Sequence, residues 1–161
     1  MRATLSGAAL LIAACSSSSS SSSDPVSSTA CVADATPAGF SATTPVHFMT
    51  DVLPIFGQSC AFSTCHGATS GSANGIYLGG TDASAVHANL VGVPAVELPS
   101  MPYVTAGEPQ ASFLLRKLDG SQCALDCGGS CGENMPRTGQ TLPDATRNVI
   151  RSWIVQGAKN D

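Results

Sequence analysis

The sequence predicts a small, irregular all-α domain of about four helices with long loops that disulfides hold together. Apolar residues recur at helical spacing in four short segments. Between them the chain is rich in glycine and proline and lacks the alternation typical of strands. Seven cysteines are available for cross-links. A chain this rich in loops gains stability from such cross-links or from an internal prosthetic group.

The first helix is predicted from Thr50 towards Cys60. Thr50 can cap the helix, and the carboxylate of Asp51 suits the positive end of the helix dipole. Pro54 falls in the first turn, where a backbone N–H has no partner to lose. One face of this helix is apolar: Val52, Ile55 and Phe56.

Two more helices follow a glycine-rich loop. A short helix is predicted over 82–90, because Gly92 and Pro94 lie just beyond it. Another is expected to open at Gly107-Glu108-Pro109 and to stop at Asp119-Gly120. Its apolar face comprises Phe113, Leu114, Leu115 and Leu118.

The final helix carries the strongest sequence signals. The run Thr141-Leu142-Pro143-Asp144 predicts a capping box, and Gly157 predicts the C-terminal end. We expect its apolar stripe to pack in the core against Phe56 of the first helix. The stripe consists of Val149, Ile150, Trp153 and Ile154.

The N-terminus predicts export. Residues 1–14 combine Arg2 with a short apolar run, too short to span a bilayer, which is typical of a cleaved signal peptide. Small residues before Cys15 match a lipobox, so Cys15 becomes the lipidated N-terminus in this interpretation; the alternative is an ordinary signal peptide cut after Ala14. Residues 15–30, with their serine tract, predict a flexible tether. The folded domain is then 31–161.

Charge and motif content exclude several function classes. Eleven acidic and seven basic residues give a formal net charge of −4, without a basic patch for nucleic acid. No serine–histidine–acid order, phosphate loop or carboxylate pair stands out, so an enzyme is not predicted. Basic residues cluster late in the chain and are expected on solvated helix faces: Arg116, Lys117, Arg137, Arg147, Arg151 and Lys159.

The chemistry is concentrated in the run from Ser59 to Gly67. Cys65 is followed at once by His66, and Cys60 lies upstream. Two thiols and an adjacent imidazole form the arrangement that attaches a c-type haem: the thiols add to vinyl groups and the imidazole binds iron. The usual spacer between the two cysteines has two residues, whereas this one has four, which constrains the geometry less.

The other cysteines of the domain predict disulfides. Cys31, Cys123, Cys127 and Cys131 are an even number in an exported chain, so two disulfides are expected, in any of three connectivities. The count stays even if Cys60 and Cys65 form a disulfide instead of holding haem. Cysteine number therefore does not distinguish a haem protein from a haem-free one.

Taken in order, the motifs resemble a class I cytochrome c domain of the kind found in exported myxobacterial and planctomycete proteins. The resemblance rests on Asp51–Phe56, Ser59-Cys60, Cys65-His66-Gly67, Gly107-Glu108-Pro109 with Ser112 and Leu114, Met135-Pro136, Trp153-Ile154 and Gly157-Ala158. It implies one covalent haem c on Cys60 and Cys65, with His66 as an axial ligand of the iron. It also implies a membrane-tethered electron carrier of the bacterial envelope, periplasmic or on the outer membrane, that meets redox partner proteins.

In that family a methionine on a loop before the last helix supplies the second axial ligand, and Met135 occupies this place. A soft thioether favours reduced iron and raises the potential. Met101 and His87 compete with Met135 for this role, and a haem with no strong sixth ligand is a further alternative. An open sixth position would favour a peroxidase or sensor. His47 is expected at the surface.

Two haem-free alternatives stay open on the sequence. Cys60, Cys65 and His66 could bind zinc together with one cysteine of the later group. Alternatively, Cys60 and Cys65 bond to each other in a disulfide-stabilised surface lipoprotein with a structural or interaction role.

Overall fold

The computed structural model of the chain describes residues 31–137 and 140–161. Those residues form four α-helices: α1 (Leu53–Ser59), α2 (Ala83–Ala88), α3 (Phe113–Asp119) and α4 (Asp144–Val155). Short 3-10 turns lie at Ala73–Gly75, Pro109–Ala111 and Gln122–Ala124. Over the two described ranges the backbone forms only two isolated bridges and no strand. The predicted small all-α class with extensive loops is therefore confirmed.

Three predicted features fall outside the described residues: the signal peptide of residues 1–14, the lipidated Cys15 and the tether of residues 15–30. Among the helices that the structure does describe, none combines the length and the apolar character that a membrane crossing requires.

The first helical segment starts earlier than predicted. A π-helical turn, Phe48–Val52, leads directly into α1, and the N–H of Leu53 donates to the carbonyl of Phe48. Thr50 lies inside this turn and does not cap it. Pro54 has no N–H to donate to the carbonyl four residues back, and a wider turn before it accommodates that loss. As predicted, the helix ends at Cys60.

The beginnings of α3 and α4 differ from the prediction. The 3-10 turn opened by Pro109 breaks at Ser112, whose hydroxyl donates to the carbonyl of Glu108, and α3 begins only at Phe113. The predicted capping box is wrong: Pro143 is the residue before α4, and no side chain caps that end. Pro143 has an extended backbone conformation, so the helix begins at Asp144, two residues later than a cap at Thr141 would have placed it.

An aromatic cluster joins the first and last helical segments. Trp153 of α4 stacks on Phe48, with ring centroids 5.0 Å apart, and Phe56 meets Phe48 edge-on at 6.3 Å. All three rings are buried, together with Ile150 and Ile154. The α4 stripe packs in the core as predicted, although Phe48, which the prediction omitted, is the ring that stacks on Trp153.

Two disulfides hold the long loops, as predicted. Cys31 is bonded to Cys123, and Cys127 is bonded to Cys131. The first attaches the start of the domain to the segment after α3, and the second closes a small loop ahead of Met135. Disulfides persist in oxidising compartments, so the pattern indicates a protein that folds outside the reducing cytosol.

A buried ion-pair network joins α3 to α4. Asp119, the last residue of α3, accepts from Arg147 at 2.5 Å and from Arg151 at 2.6 Å. The Asp119 and Arg151 side chains are 2% and 1% exposed. The prediction that Arg147 and Arg151 lie on a solvated face is therefore wrong, because both turn inward to a carboxylate that the sequence separates from them by a long loop.

Candidate cofactor site

A cavity of about 330 Å³ lies between the loop that follows α1, helix α3 and the loop that precedes α4. Cys60, Cys65 and His66 line it from the first loop, and Met135 lines it from the last. Small-molecule sites in proteins range from about 300 to 1,000 Å³. The four residues that the sequence analysis predicted to hold one cofactor thus line the same cavity.

Most of the cavity wall is apolar. Its hydrophobic residues include Ile76, Leu78, Leu90, Phe113, Leu114 and Leu118. A few polar side chains interrupt this wall, chiefly Asn74, Glu97, Lys117 and Arg137. An apolar enclosure with a few polar groups suits a flat apolar ligand that carries charged substituents.

The four-residue spacer between the cysteines forms a compact loop. The N–H of Cys65 donates to the carbonyl of Phe62 at 2.8 Å, and the N–H of His66 donates to the carbonyl of Cys60 at 3.3 Å. Gly67 donates to the same Phe62 carbonyl at 2.9 Å. These bonds fold the chain back, so both thiols border one cavity in spite of the long spacer.

Gly67 closes this loop where no side chain fits. A Cβ atom at Gly67 would lie 2.1 Å from the carbonyl oxygen of Ala61. The contact is with backbone, so the loop itself would have to move, and overpacking of this kind costs about 1–3 kcal/mol or more.

We expect Gly67→Ala to destabilise the domain by that amount and to misplace the Cys65–His66 pair. Gly57→Ala is the matched control, because Gly57 is exposed on α1 and a Cβ there meets nothing within 4 Å. That change should stabilise the helix by about 0.5–1 kcal/mol. Urea unfolding followed by circular dichroism measures both changes; equal stability of the two variants would contradict the close approach.

His66 is held by one ring nitrogen. Its side chain is largely buried, and Nδ1 lies 3.2 Å from the carbonyl oxygen of Ile76. A carbonyl can only accept, so Nδ1 is the donor, and in the neutral imidazole Nε2 keeps its lone pair. Metal-binding histidines are commonly oriented by such a bond from the other ring nitrogen. Nε2 of His66 is therefore the atom available to a metal.

Cys60 and Cys65 are free thiols in the structure. Burial raises the pKa of the Cys60 thiol to about 11, with a smaller contribution from the neighbouring Cys65. Cys60 thus stays protonated at neutral pH, and the structure contains no bond between the Cys60 and Cys65 sulfurs.

The raised pKa makes the alkylation of Cys60 strongly pH-dependent. In protein made without haem attachment, a pKa of about 11 leaves about one Cys60 side chain in a thousand as the thiolate at pH 8. Only this thiolate reacts with an alkylating agent. The rate with iodoacetamide, followed by mass spectrometry, should rise about tenfold per pH unit up to about 11. In urea, the rate for the unfolded chain should level off near pH 9.0, the ordinary pKa of a cysteine thiol. If the rate for the folded protein also levelled off near pH 9.0, that result would contradict the burial of this thiol.

The raised pKa of Cys60 also makes the free energy of unfolding depend on pH, because the folded domain prefers the protonated thiol. The stability that this thiol contributes is fully present below the ordinary pKa of 9.0 and is lost as pH rises through about 11.

Of the candidates for a second axial ligand, Met135 is the one that lines the cavity. Its N–H donates to the carbonyl of Lys117 at 2.9 Å, which attaches the loop to α3. His87 instead lies in the aromatic core: its Nε2 is 2.7 Å from the carbonyl oxygen of Ala158, and its ring meets Phe48 edge-on. Met101 is half-buried and does not border the cavity.

The remaining metal candidates are not assembled. Cys123, Cys127 and Cys131 are all in disulfides, so none is free to complete a zinc site with Cys60, Cys65 and His66. Within residues 31–137 and 140–161, no three side chains of the metal-ligating types cluster. His47 is at the surface, as predicted, with Nδ1 3.1 Å from an Asp161 carboxylate oxygen.

Three charged residues line the cavity; Arg137 has an exposed side chain, and the positions of the other two were missed by the sequence interpretation. Lys117, expected on a solvated face, is 5% exposed, and burial lowers the pKa of its ammonium. The signal was present in the spacing, because Lys117 lies three and four residues after Leu114 and Phe113 on the apolar face of α3. Glu97 lies in an irregular loop, where no periodicity could have indicated its position.

Comparison with protein-family models, curated proteins and solved structures gave no match for this chain. The assignment of the cavity therefore rests on its own residues and their contacts.

Proposed function

We propose that the domain binds one covalent haem in this cavity and serves as a membrane-tethered electron carrier. The observation that carries the proposal is the meeting of Cys60, Cys65, His66 and Met135 around one apolar cavity. These residues come from two loops far apart in the chain. Their convergence on a single cavity is the arrangement that a bound haem needs.

The residues present fit this cofactor chemically. Each free thiol can form a thioether, in which the sulfur bonds to one vinyl carbon and the thiol hydrogen is transferred to the other. The lone pair of His66 Nε2 and the thioether of Met135 are both established ligand types for haem iron. Apolar walls suit the porphyrin faces, and the ammonium of Lys117 suits a carboxylate.

Electron transfer is the chemistry favoured by this ligand pair. When bound, the haem would supply an iron that cycles between the ferrous and ferric states. His66, held by the Ile76 carbonyl, and Met135, held by the Lys117 carbonyl, occupy fixed positions. Two such ligands would leave the iron no free position for a substrate, which is why we favour a carrier over a peroxidase or sensor.

Haem staining after denaturing electrophoresis tests the proposal. Protein exported by a host with haem-attachment machinery should keep its haem through unfolding, because thioethers are covalent. Cys65→Ser should lose most of the stain, whereas Met101→Ala should keep it. A wild-type protein without stain, in which Cys60 and Cys65 map to one disulfide, would support the haem-free lipoprotein instead.

The anchor is a separate part of the proposal, supported by the signal-like residues 1–14 and by the lipobox before Cys15. Lipidated Cys15 would hold the domain to the membrane through the serine-rich tether. Cys15→Ala should release the protein into the soluble fraction with its haem and stability unchanged. Wild-type protein found fully in the soluble fraction would contradict lipidation.

A further inference from the structure

The cavity contains a buried ammonium whose hydrogen-bonding capacity is mostly unused. Lys117 Nζ donates to the carbonyl of Cys131 at 2.7 Å, and the carboxylate oxygen of its salt-bridge partner, Glu97 Oε1, is 4.0 Å away. An ammonium has three N–H donors, and a distance of 4.0 Å is too long for a hydrogen bond. The Lys117 side chain is only 6% exposed, so water does not readily compensate.

Glu97 is similarly incomplete. Its Oε1 accepts from Asn74 Nδ2 at 2.6 Å, whereas the buried Oε2 has no partner among the described residues. Glu97 and Lys117 thus neutralise each other at a distance without bonding directly. Both line the otherwise apolar cavity.

From this pair we infer that Lys117 binds a carboxylate of the cavity's occupant, with Glu97 as the competing counter-ion that this carboxylate displaces. The inference rests on the proposed function, in which the occupant is haem and the carboxylate is one of its propionates. A propionate accepts the two unused N–H donors of Lys117. It also comes close to the negative charge of Glu97, so the two residues act in opposite directions on affinity.

Non-covalent binding isolates this effect from haem attachment. The full chain carrying Cys60→Ser and Cys65→Ser is titrated with haem and with haem dimethyl ester, which lacks the carboxylates, and binding is followed by Soret absorption. Both probes offer the same iron to His66 and Met135. We expect haem to bind about tenfold more tightly than the ester, the effect of one buried charge-assisted hydrogen bond.

Two variants in the same background assign the preference. Lys117→Met should make the affinities for haem and for its dimethyl ester about equal, and Lys117→Arg should restore the preference for haem. Glu97→Gln should widen the ratio, because a competing charge becomes a neutral amide. If Lys117→Met does not fold, the Glu97→Gln result decides: an unchanged or smaller ratio would overturn the inference.

The outcomes separate the inference from the proposed function. Equal affinity for haem and its ester in the parent background, or no binding of either, would overturn the role of Lys117 even if wild-type protein stains for haem. The opposite result is also distinguishable. If the preference for haem depends on Lys117 but the wild-type protein never acquires covalent haem, the carboxylate site is supported and covalent attachment is refuted.

Discussion

Replacing Met135 with alanine should convert the proposed carrier into a protein with an open iron site. The ferric haem protein should show the weak near-infrared band of sulfur-to-iron charge transfer, and Met135→Ala should abolish it. Loss of a soft ligand that favours reduced iron should also lower the potential, by on the order of 0.1 V within the ~0.8 V range that axial ligands span. The variant should then bind carbon monoxide.

Met101→Ala is the matched control for this experiment, because both methionines precede a proline in a loop and only Met135 lines the cavity. The Met101 variant should keep the band and the potential. A band that survives in Met135→Ala but disappears in Met101→Ala would refute the assignment. Ready binding of carbon monoxide by the wild type would instead favour the peroxidase or sensor alternative.

Asp119→Ala should strongly destabilise the domain. Its carboxylate is the shared partner of Arg147 and Arg151, and its side chain is 2% exposed. Removing one partner of a buried ion pair leaves an uncompensated charge, at a cost of about 3–5 kcal/mol. Since α3 also contributes Lys117 and Leu118 to the cavity, haem retention should fall together with the free energy of unfolding.

Asp144→Ala provides the control, since Asp144 pairs with the same Arg147 and its side chain is 72% exposed. Exposed ion pairs contribute about 0–1 kcal/mol. Urea unfolding of both variants, followed by circular dichroism at several salt concentrations, measures the difference. Similar small losses for Asp119 and Asp144 would show that the network between α3 and α4 does not hold the fold.

A wider consequence concerns the length of the motif spacer. Four residues between the cysteines would be a poor fit if the loop were extended. The bonds from Cys65 and Gly67 to the Phe62 carbonyl shorten it, and Gly67 permits the close approach to Ala61. A longer spacer is thus compatible with two thiols at one cavity when the loop closes on its own backbone.

Local sequence signals were sufficient where a residue's role depends on its immediate neighbours. Glycine and proline punctuation predicted four helices, and the end of α1 at Cys60 was predicted correctly because helix periodicity is a short-range property. Helix starts were less accurate: Thr50 and Thr141 resembled caps, yet the π-helical turn and the extended Pro143 determined where the helices begin. The presence of two disulfides was predictable from cysteine number, whereas their pairing was not.

Long-range contacts decided the rest. The resemblance favoured Met135 over Met101 by its place before the last helix, but its position at the cavity depends on a bond to α3 and on the folding of the loop before α4. Burial of Arg147 and Arg151 likewise required knowing that Asp119 lies beside them. A charged residue can be buried only when a partner is present, and the partner is supplied by tertiary structure. The sequence by itself therefore determined the helical class and the cysteine–histidine motif, and the fold decided which distant side chains join them.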